Sequence, residues 1–171
     1  MVNGSLADII FIPQLRPKCD ESIRIALDIV KGIHYLHEEC KTQIIHCDIK
    51  PQNILIDAHR SARISDFGLA KLLKPDQKNT CTGIRGTRGY VAPEWYRKMP
   101  VAVKADVYSF GVGLLEIIFC RTKLDLSLRE EAIVNELAKL VVDEETDKKQ
   151  FERMERVGLW CILDDPSSVH P

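Results

Sequence analysis

No CxxC pair occurs in the 171-residue chain, although it holds six cysteines, Cys19, Cys40, Cys47, Cys81, Cys120 and Cys161. Scattered in this way, they argue against a zinc site or a disulfide framework and fit a reducing compartment. Neither sign of charge dominates: 24 Lys and Arg stand against 25 Asp and Glu, for a net charge of -1. Binders of nucleic acid or of membrane surfaces usually carry a strong basic excess, so neither partner is expected. No apolar run reaches the roughly 20 residues of a membrane span. The longest, Val107 to Cys120, is broken by Ser109 and Glu116 and reads as a buried core helix. The run Ile9-Ile10-Phe11-Ile12 is too short for a signal peptide and lacks its basic leader. There is no internal repeat, no low-complexity tract and no Gly/Ser-rich linker. What remains is about one domain's length of chain, expected to be soluble, with 45% hydrophobic residues to fill a packed core.

The elements follow from local pattern. Asn3-Gly4 makes a turn, and Ser5 with Asp8 three residues on predicts a capped short helix through about Phe11. Pro13 and Pro17 mark the loop after it. From Asp20 to Glu39 the apolar positions Ile23, Ile25, Ala26, Leu27, Ile29, Val30, Ile33 and Leu36 occupy most of a helix circumference. That distribution predicts a helix buried on more than one side. Residues 44 to 72 alternate β-prone pieces (Ile54-Leu55-Ile56, Ala62-Arg63-Ile64) with polar loops, as small hairpins do. A polar, glycine-bearing connection covers 73 to 91, and a second apolar helix runs from about Lys104 to Cys120. The tail, 127 to 163, reads as charged and helical, with Leu137, Leu140, Val141, Met154, Val157, Leu159 and Trp160 as candidate core contacts. The fold class is therefore mainly α, with a small β patch around the polar loops.

The chemistry concentrates in His46-Cys47-Asp48-Ile49-Lys50-Pro51-Gln52-Asn53, which puts a carboxylate, an ammonium and a carboxamide on one loop stiffened by Pro51. Asp66-Phe67-Gly68 follows 18 residues after Asp48. Then come Gly86-Thr87-Arg88-Gly89-Tyr90-Val91-Ala92-Pro93-Glu94 and, at the head of the apolar helix, Asp106. Phosphoryl transfer needs this inventory: a base near the accepting hydroxyl, oxygen ligands for magnesium and a cation for the transferred group. Each part has a plainer reading. Asp48, Asn53 and Asp66 are residue types common in turns. His34 and His37 with Glu38 sit at a spacing open to metal ligation or to helix packing. His46 is read as a structural residue rather than a general base, Cys47 as packing rather than a reactive thiol, and the Lys/Glu-rich segment 143 to 156 as a solvated face rather than a docking site.

Taken together, these motifs resemble the signature set of protein kinases, H-R-D-L-x-x-x-N, D-F-G and A-P-E. Within that family the chain is most similar to plant receptor-like Ser/Thr kinases of the lectin, or S-receptor-like, group. The residues that carry this are Gly32-Ile33-His34-Tyr35-Leu36-His37-Glu38, the stretch from Gly86 to Trp95, and Asp106-Val107-Tyr108-Ser109-Phe110-Gly111. The resemblance implies a kinase-like C-terminal lobe with small β-hairpins around the catalytic loop, α+β when joined to an N-terminal lobe. It implies a partial kinase domain over 1–171, from the hinge and αD to about αH in the family's lettering, with the N-lobe and last helix absent.

It further implies that Asp48 accepts or orients the proton of a substrate hydroxyl and that Lys50 offsets charge on the phosphoryl group. Asn53 and Asp66 would hold magnesium, while Leu55 and Ser5 would line the ATP site. Thr80, Thr82 and Thr87 fall in the activation segment. His46, Phe67, Gly68, Glu94 and Asp106 are structural, Asp106 bracing the catalytic-loop backbone. Lys50, two residues after Asp48, and Thr87 fit Ser/Thr rather than Tyr kinases. The implied cofactors are ATP and Mg2+, the implied partners a protein substrate with Ser or Thr and receptor kinases, and the implied location cytoplasmic.

Three departures temper what the resemblance implies. The chain has no glycine-rich phosphate loop, strand lysine or partner glutamate helix, so weak ATP binding and no useful turnover are expected of these residues alone. Cys47 stands where an arginine usually precedes the catalytic Asp, which predicts an activity independent of activation-loop phosphate. The segment between Glu131 and Asp147 is short, and His170 in Asp165-Pro166-Ser167-Ser168-Val169-His170-Pro171 replaces the arginine expected to pair with Glu94. The alternatives to an enzyme are a non-catalytic lobe acting as a decoy or binding module, and a partial gene product without a selected function.

Overall fold

The computed structural model describes residues 3–73, 86–93, 102–120 and 145–163, with the side chains of 145–147 left aside. Thr80, Thr82, Glu94, Leu137, Leu140, Val141 and the run from Asp165 to Pro171 lie outside the described residues.

Helix α1 (Leu6–Ile10) opens on a capping box. Ser5 Oγ accepts from the Asp8 amide at 3.4 Å, and Asp8 Oδ2 accepts from the Ser5 amide at 2.8 Å. That reciprocal pair satisfies two otherwise orphaned donors and fixes where so short a helix starts. Helix α2 (Cys19–His34) continues into one π-helical turn, Tyr35–Glu39. It is amphipathic rather than buried on several sides. Ile25, Ala26, Ile29 and Ile33 face the core while Leu27 and Val30 are exposed. The expectation from composition fails because the apolar residues outnumber the positions that the neighbouring elements cover.

Two short antiparallel ribbons follow. Strand β1 (Ile44–Ile45) pairs with β4 (Lys71–Leu72), and β2 (Ile54–Ile56) pairs with β3 (Ala62–Ile64). The second is the hairpin expected from the β-prone pieces, in the register Ile54↔Ile64, Leu55↔Arg63 and Ile56↔Ala62. The first escapes a local reading because its strands are two residues long and far apart in sequence.

Helix α3 (Lys104–Phe119) runs through the middle of the molecule and is buried from Ser109 to Phe119 on every side. A helix that is apolar all round has no solvent face to present. It packs against α4 (Glu145–Ile162) and α2. Met154 and Leu159 reach the core as expected, but Val157 and Trp160 are exposed at 46% and 54%. They sit on the outward turn of α4, beside Arg153 and Arg156, so the helix phase excludes them from the core. The main core joins Ile9, Ile10, Ile25, Ile54, Ile56 and Leu115 with the inner faces of α2, α3 and α4. Burying each such side chain contributes roughly 1.5–3 kcal/mol. The architecture is mainly α with small strand pairs, and the ribbons present the polar loops on one side of α3.

Candidate functional site

The loop between β1 and β2 is fixed from below by α3. Asp106 lies in the first turn of α3, fully buried, where its carboxylate can reach back to the loop. Oδ2 accepts from the His46 amide and Oδ1 from the Cys47 amide, each at 2.8 Å. His37, on the π turn, places Nε2 2.9 Å from the same Oδ2. One buried carboxylate thus ties α2, the loop and α3 together. Breaking such a pair typically costs about 3–5 kcal/mol, because the remaining polar groups stay buried without partners.

His46 is buried and both ring nitrogens are used. Nε2–H donates to the Ser65 carbonyl at 2.9 Å, and Nδ1 accepts from the Asp48 amide at 3.3 Å. That pattern assigns a neutral imidazole with its proton on Nε2, leaving no nitrogen for proton transfer. Its ring also meets Phe67 edge-on, centroids 4.9 Å apart. His46 is a strut between the loop and the Asp66-Phe67-Gly68 turn.

Above the strut lies a triangle of charged and hydroxyl groups. Lys50 Nζ stands 2.8 Å from Asp48 Oδ2 and donates to Thr87 Oγ1 at 2.6 Å. The Thr87 hydroxyl in turn donates to Asp48 Oδ1 at 2.7 Å. Asn53 Nδ2 donates both to the Asp48 carbonyl and to Oδ2, at 2.9 Å each. Asp48 is only 6% exposed, and burial pushes its carboxyl upward. The hydrogen bonds from Lys50 and Thr87, the Lys50 charge and the Asn53 amide outweigh that, and hold it below the usual carboxylate range. The site keeps an ionised, partly desolvated carboxylate beside an ammonium at neutral pH.

With Nδ2 spent on Asp48, Asn53 keeps Oδ1 as its remaining acceptor. The Asn53 carbonyl accepts from the Ser65 amide at 2.9 Å and from Ser65 Oγ at 2.8 Å, which brings the following residue, Asp66, alongside the loop. Asp66 is exposed, adopts the left-handed conformation (φ 62) and caps the turn Phe67–Leu69 by accepting from the Gly68 amide at 3.3 Å. A carboxylate and a carboxamide oxygen in this setting suit a hard divalent cation such as magnesium. Leu55 is half-buried and bridges Ser5 across an isolated β-bridge. The Ser5 hydroxyl is taken up by the capping box, donating to Asp8 Oδ2 at 2.7 Å. His34 and His37 do not converge: His34 is exposed near Glu39 at 3.7 Å while His37 turns inward to Asp106.

The family described as "Protein kinase domain" matches residues 1–165 of the chain. The chain belongs to the protein kinase family. Among its relatives, the rice G-type lectin S-receptor-like serine/threonine-protein kinase LECRK4 (Oryza sativa subsp. indica) is 49% identical over 98% of this chain and 22% of its own length. Rice LECRK1 is 50% identical with the same coverages, and RLK1 of Arabidopsis thaliana is 47% identical over 95% of this chain and 21% of its own length. The chain spans about a fifth of the length of these relatives.

Two groups around this loop were not read as functional from sequence. His37, at a spacing open to metal ligation or to helix packing, is the third contact to Asp106. Tyr90 donates its hydroxyl to buried Glu116 Oε2 at 2.7 Å, and its carbonyl accepts from Ser109 Oγ at 2.7 Å. Burial, with the Glu116 carboxylate beside it, raises the phenol well above its ordinary range, so it stays protonated and donating. The signal was present as the two polar interruptions of the apolar helix, Ser109 and Glu116, both of which anchor the segment 86–93.

Proposed function

We propose that the chain carries the hydroxyl-activating and charge-handling half of a serine/threonine protein kinase of the receptor-like type. The observation that supports this most is the Asp48–Lys50–Thr87 triangle, in which a buried carboxylate already accepts a hydrogen bond from an alcohol at 2.7 Å beside an ammonium. A substrate Ser or Thr hydroxyl would present its proton to Asp48 in the same way, and the carboxylate would take it as the oxygen bonds to phosphorus. Lys50 would offset negative charge on the phosphoryl group in flight. Asn53 Oδ1 and Asp66 would hold magnesium, with Leu55 beneath the adenine. Magnesium-ATP, used by protein kinases generally, supplies the phosphoryl group and shields its charge. A partial kinase domain over 1–171, working in the cytoplasm on protein substrates, completes the reading.

A second reading is a lobe that binds partners without turnover. Titrating the purified chain with ATP, with and without magnesium, separates the two. Weak, magnesium-dependent binding that Asp66→Asn abolishes supports the nucleotide site, and binding indifferent to magnesium and to Asp66 contradicts it. For transfer itself, the chain is fused to the upstream kinase segment of LECRK4 and assayed on a Ser/Thr protein substrate. Asp48→Asn is then expected to lower kcat about 10²- to 10⁴-fold with ATP affinity retained. An unchanged kcat would rule the catalytic role out.

A further inference from the structure

Helix α4 carries its surface chemistry on one side. Among its described residues every exposed side chain is a cation, Val157 or Trp160. Arg153, Arg156, Val157 and Trp160 stand at i, i+3, i+4 and i+7, so they share one outward stripe. Exposed Lys148 and Lys149 precede them by a turn. From Arg153 to Trp160 the stripe rises about 10 Å. The opposite face, with Met154 and Leu159, packs into the main core. The acids of the same stretch are withdrawn from the surface, Glu152 half-buried and Glu155 buried.

The ion pairs of the described residues involve neither Arg153 nor Arg156. Arg156 acts on the Glu155 carboxyl through its charge alone. Solvated arginines by themselves need no partner, but Trp160 beside them, exposed at 54%, leaves a large apolar ring in water. Cations and an indole on one line match the headgroup layer of an anionic bilayer. Lipid phosphates meet the guanidinium groups, and the ring rests where headgroups give way to acyl chains. The stripe is a ridge rather than a groove, and the two described clefts lie elsewhere, between α2 and β3 and beneath Lys50 and Pro51. A ridge meets a flat surface along its whole length, whereas a peptide needs a groove to seat it. The net charge of -1 averages this face away, because it excludes a basic chain and not one basic helix.

We propose that the outer stripe of α4 is a membrane-contact surface for anionic phospholipid, with Arg153 and Arg156 on lipid phosphates and Trp160 at the headgroup boundary. The contact is peripheral and electrostatic, since Val157 and Trp160 alone supply apolar area. It stands independently of the kinase reading.

Sedimentation of the purified chain with vesicles tests this, comparing phosphatidylcholine alone with mixtures of phosphatidylcholine and phosphatidylserine. The chain is expected to pellet with the anionic vesicles only. It should be released as salt rises, because the screening length falls from about 10 Å at 0.1 M to about 3 Å at 1 M. Arg153→Gln and Arg156→Gln should each weaken binding about fivefold. Lys31→Gln, which removes an exposed cation on α2, should leave it unchanged. In a Trp95→Phe chain, where Trp160 is the one remaining indole, emission should shift to the blue on binding. Equal binding to both vesicles, binding to neither, or an unshifted emission would overturn the proposal. So would equal weakening by Lys31→Gln, which would make the attraction diffuse rather than local to the stripe. Capture by a polyglutamate peptide that depends on Arg153 and Arg156, with vesicles ignored, would overturn it in favour of an acidic protein. Should Trp95→Phe fail to fold, the sedimentation series decides alone.

Discussion

Helices α3 and α4 both bury carboxylates, and the surroundings differ. On α3, Asp106 is met by two loop amides and by His37, and Glu116 by the Tyr90 hydroxyl, so each carboxylate lies where donors converge. On α4, Glu155 is nearly as buried, yet its Oε1 has no hydrogen-bond partner among the described residues. Burial, helped by Glu152 and opposed by Arg156, pushes that carboxyl up to about 7. A buried carboxylate left without donors takes up a proton more readily. Most donors at α3 come from the segments that build the site, so the same bonds that satisfy its buried carboxylates position the chemistry. At α4 no described residue donates to Oε1 of Glu155.

The sharpest break in this comparison is Asp106→Ala. It strands the His46 and Cys47 amides and His37, and should cost about 3–5 kcal/mol in denaturant unfolding. A loss below about 1 kcal/mol would mean that the loop holds its shape without α3. Next is the α3–α4 crossing, where the helices meet through glycines. A Cβ at Gly111 would lie 2.7 Å from Cys161 Cβ and 2.8 Å from the Gly158 carbonyl oxygen. Gly111→Ala should therefore cost about 1–3 kcal/mol, because a backbone must move. Gly158→Ala, whose closest contacts at 3.0 and 3.2 Å are atoms of the Leu115 side chain, should cost less. Equal losses would show that the crossing has more slack than its geometry implies.

The smallest effect sharpens the comparison through pH. The folded state raises the Glu155 carboxyl from 4.5 to about 7, so the folded protein binds this proton more tightly than the unfolded chain does. Its contribution to stability is fully present below pH 4.5 and is lost as pH rises through about 7. Glu155→Gln should stabilise the protein by about 1–2 kcal/mol at pH 8, discounted for partial solvation, and leave it unchanged below pH 4.5. Thermal unfolding at the two pH values measures this, and a pH-independent difference would count against it. Asp48 has the opposite sign. Its lowered carboxyl contributes stability above the ordinary carboxylate range that disappears as pH falls.

Much of the site was legible in one dimension. The capping box at Ser5 and Asp8, the hairpin of β2 and β3, and the buried helix from Lys104 each rest on residues adjacent or periodic in sequence. Helix phase was legible less well. Leu27, Val30, Val157 and Trp160 are apolar but face outward, since periodicity says which residues share a face and not how wide the covering neighbour is. The two-residue ribbon of β1 and β4 is too short to have a pattern at all.

The order of the chemical groups, and the spacing of Asp48, Lys50 and Asn53 within one loop, are set by the chain itself. Those follow from short-range chain geometry, which a loop stiffened by Pro51 leaves little freedom to change. Tertiary structure alone decided which partners those groups meet. Thr87 reaches Asp48 across 39 residues and His37 reaches Asp106 across 69, contacts that exist only once the core has closed the intervening loops. It also decided that Cys47 faces apolar neighbours rather than solvent, because whether a side chain is buried is a property of everything packed around it.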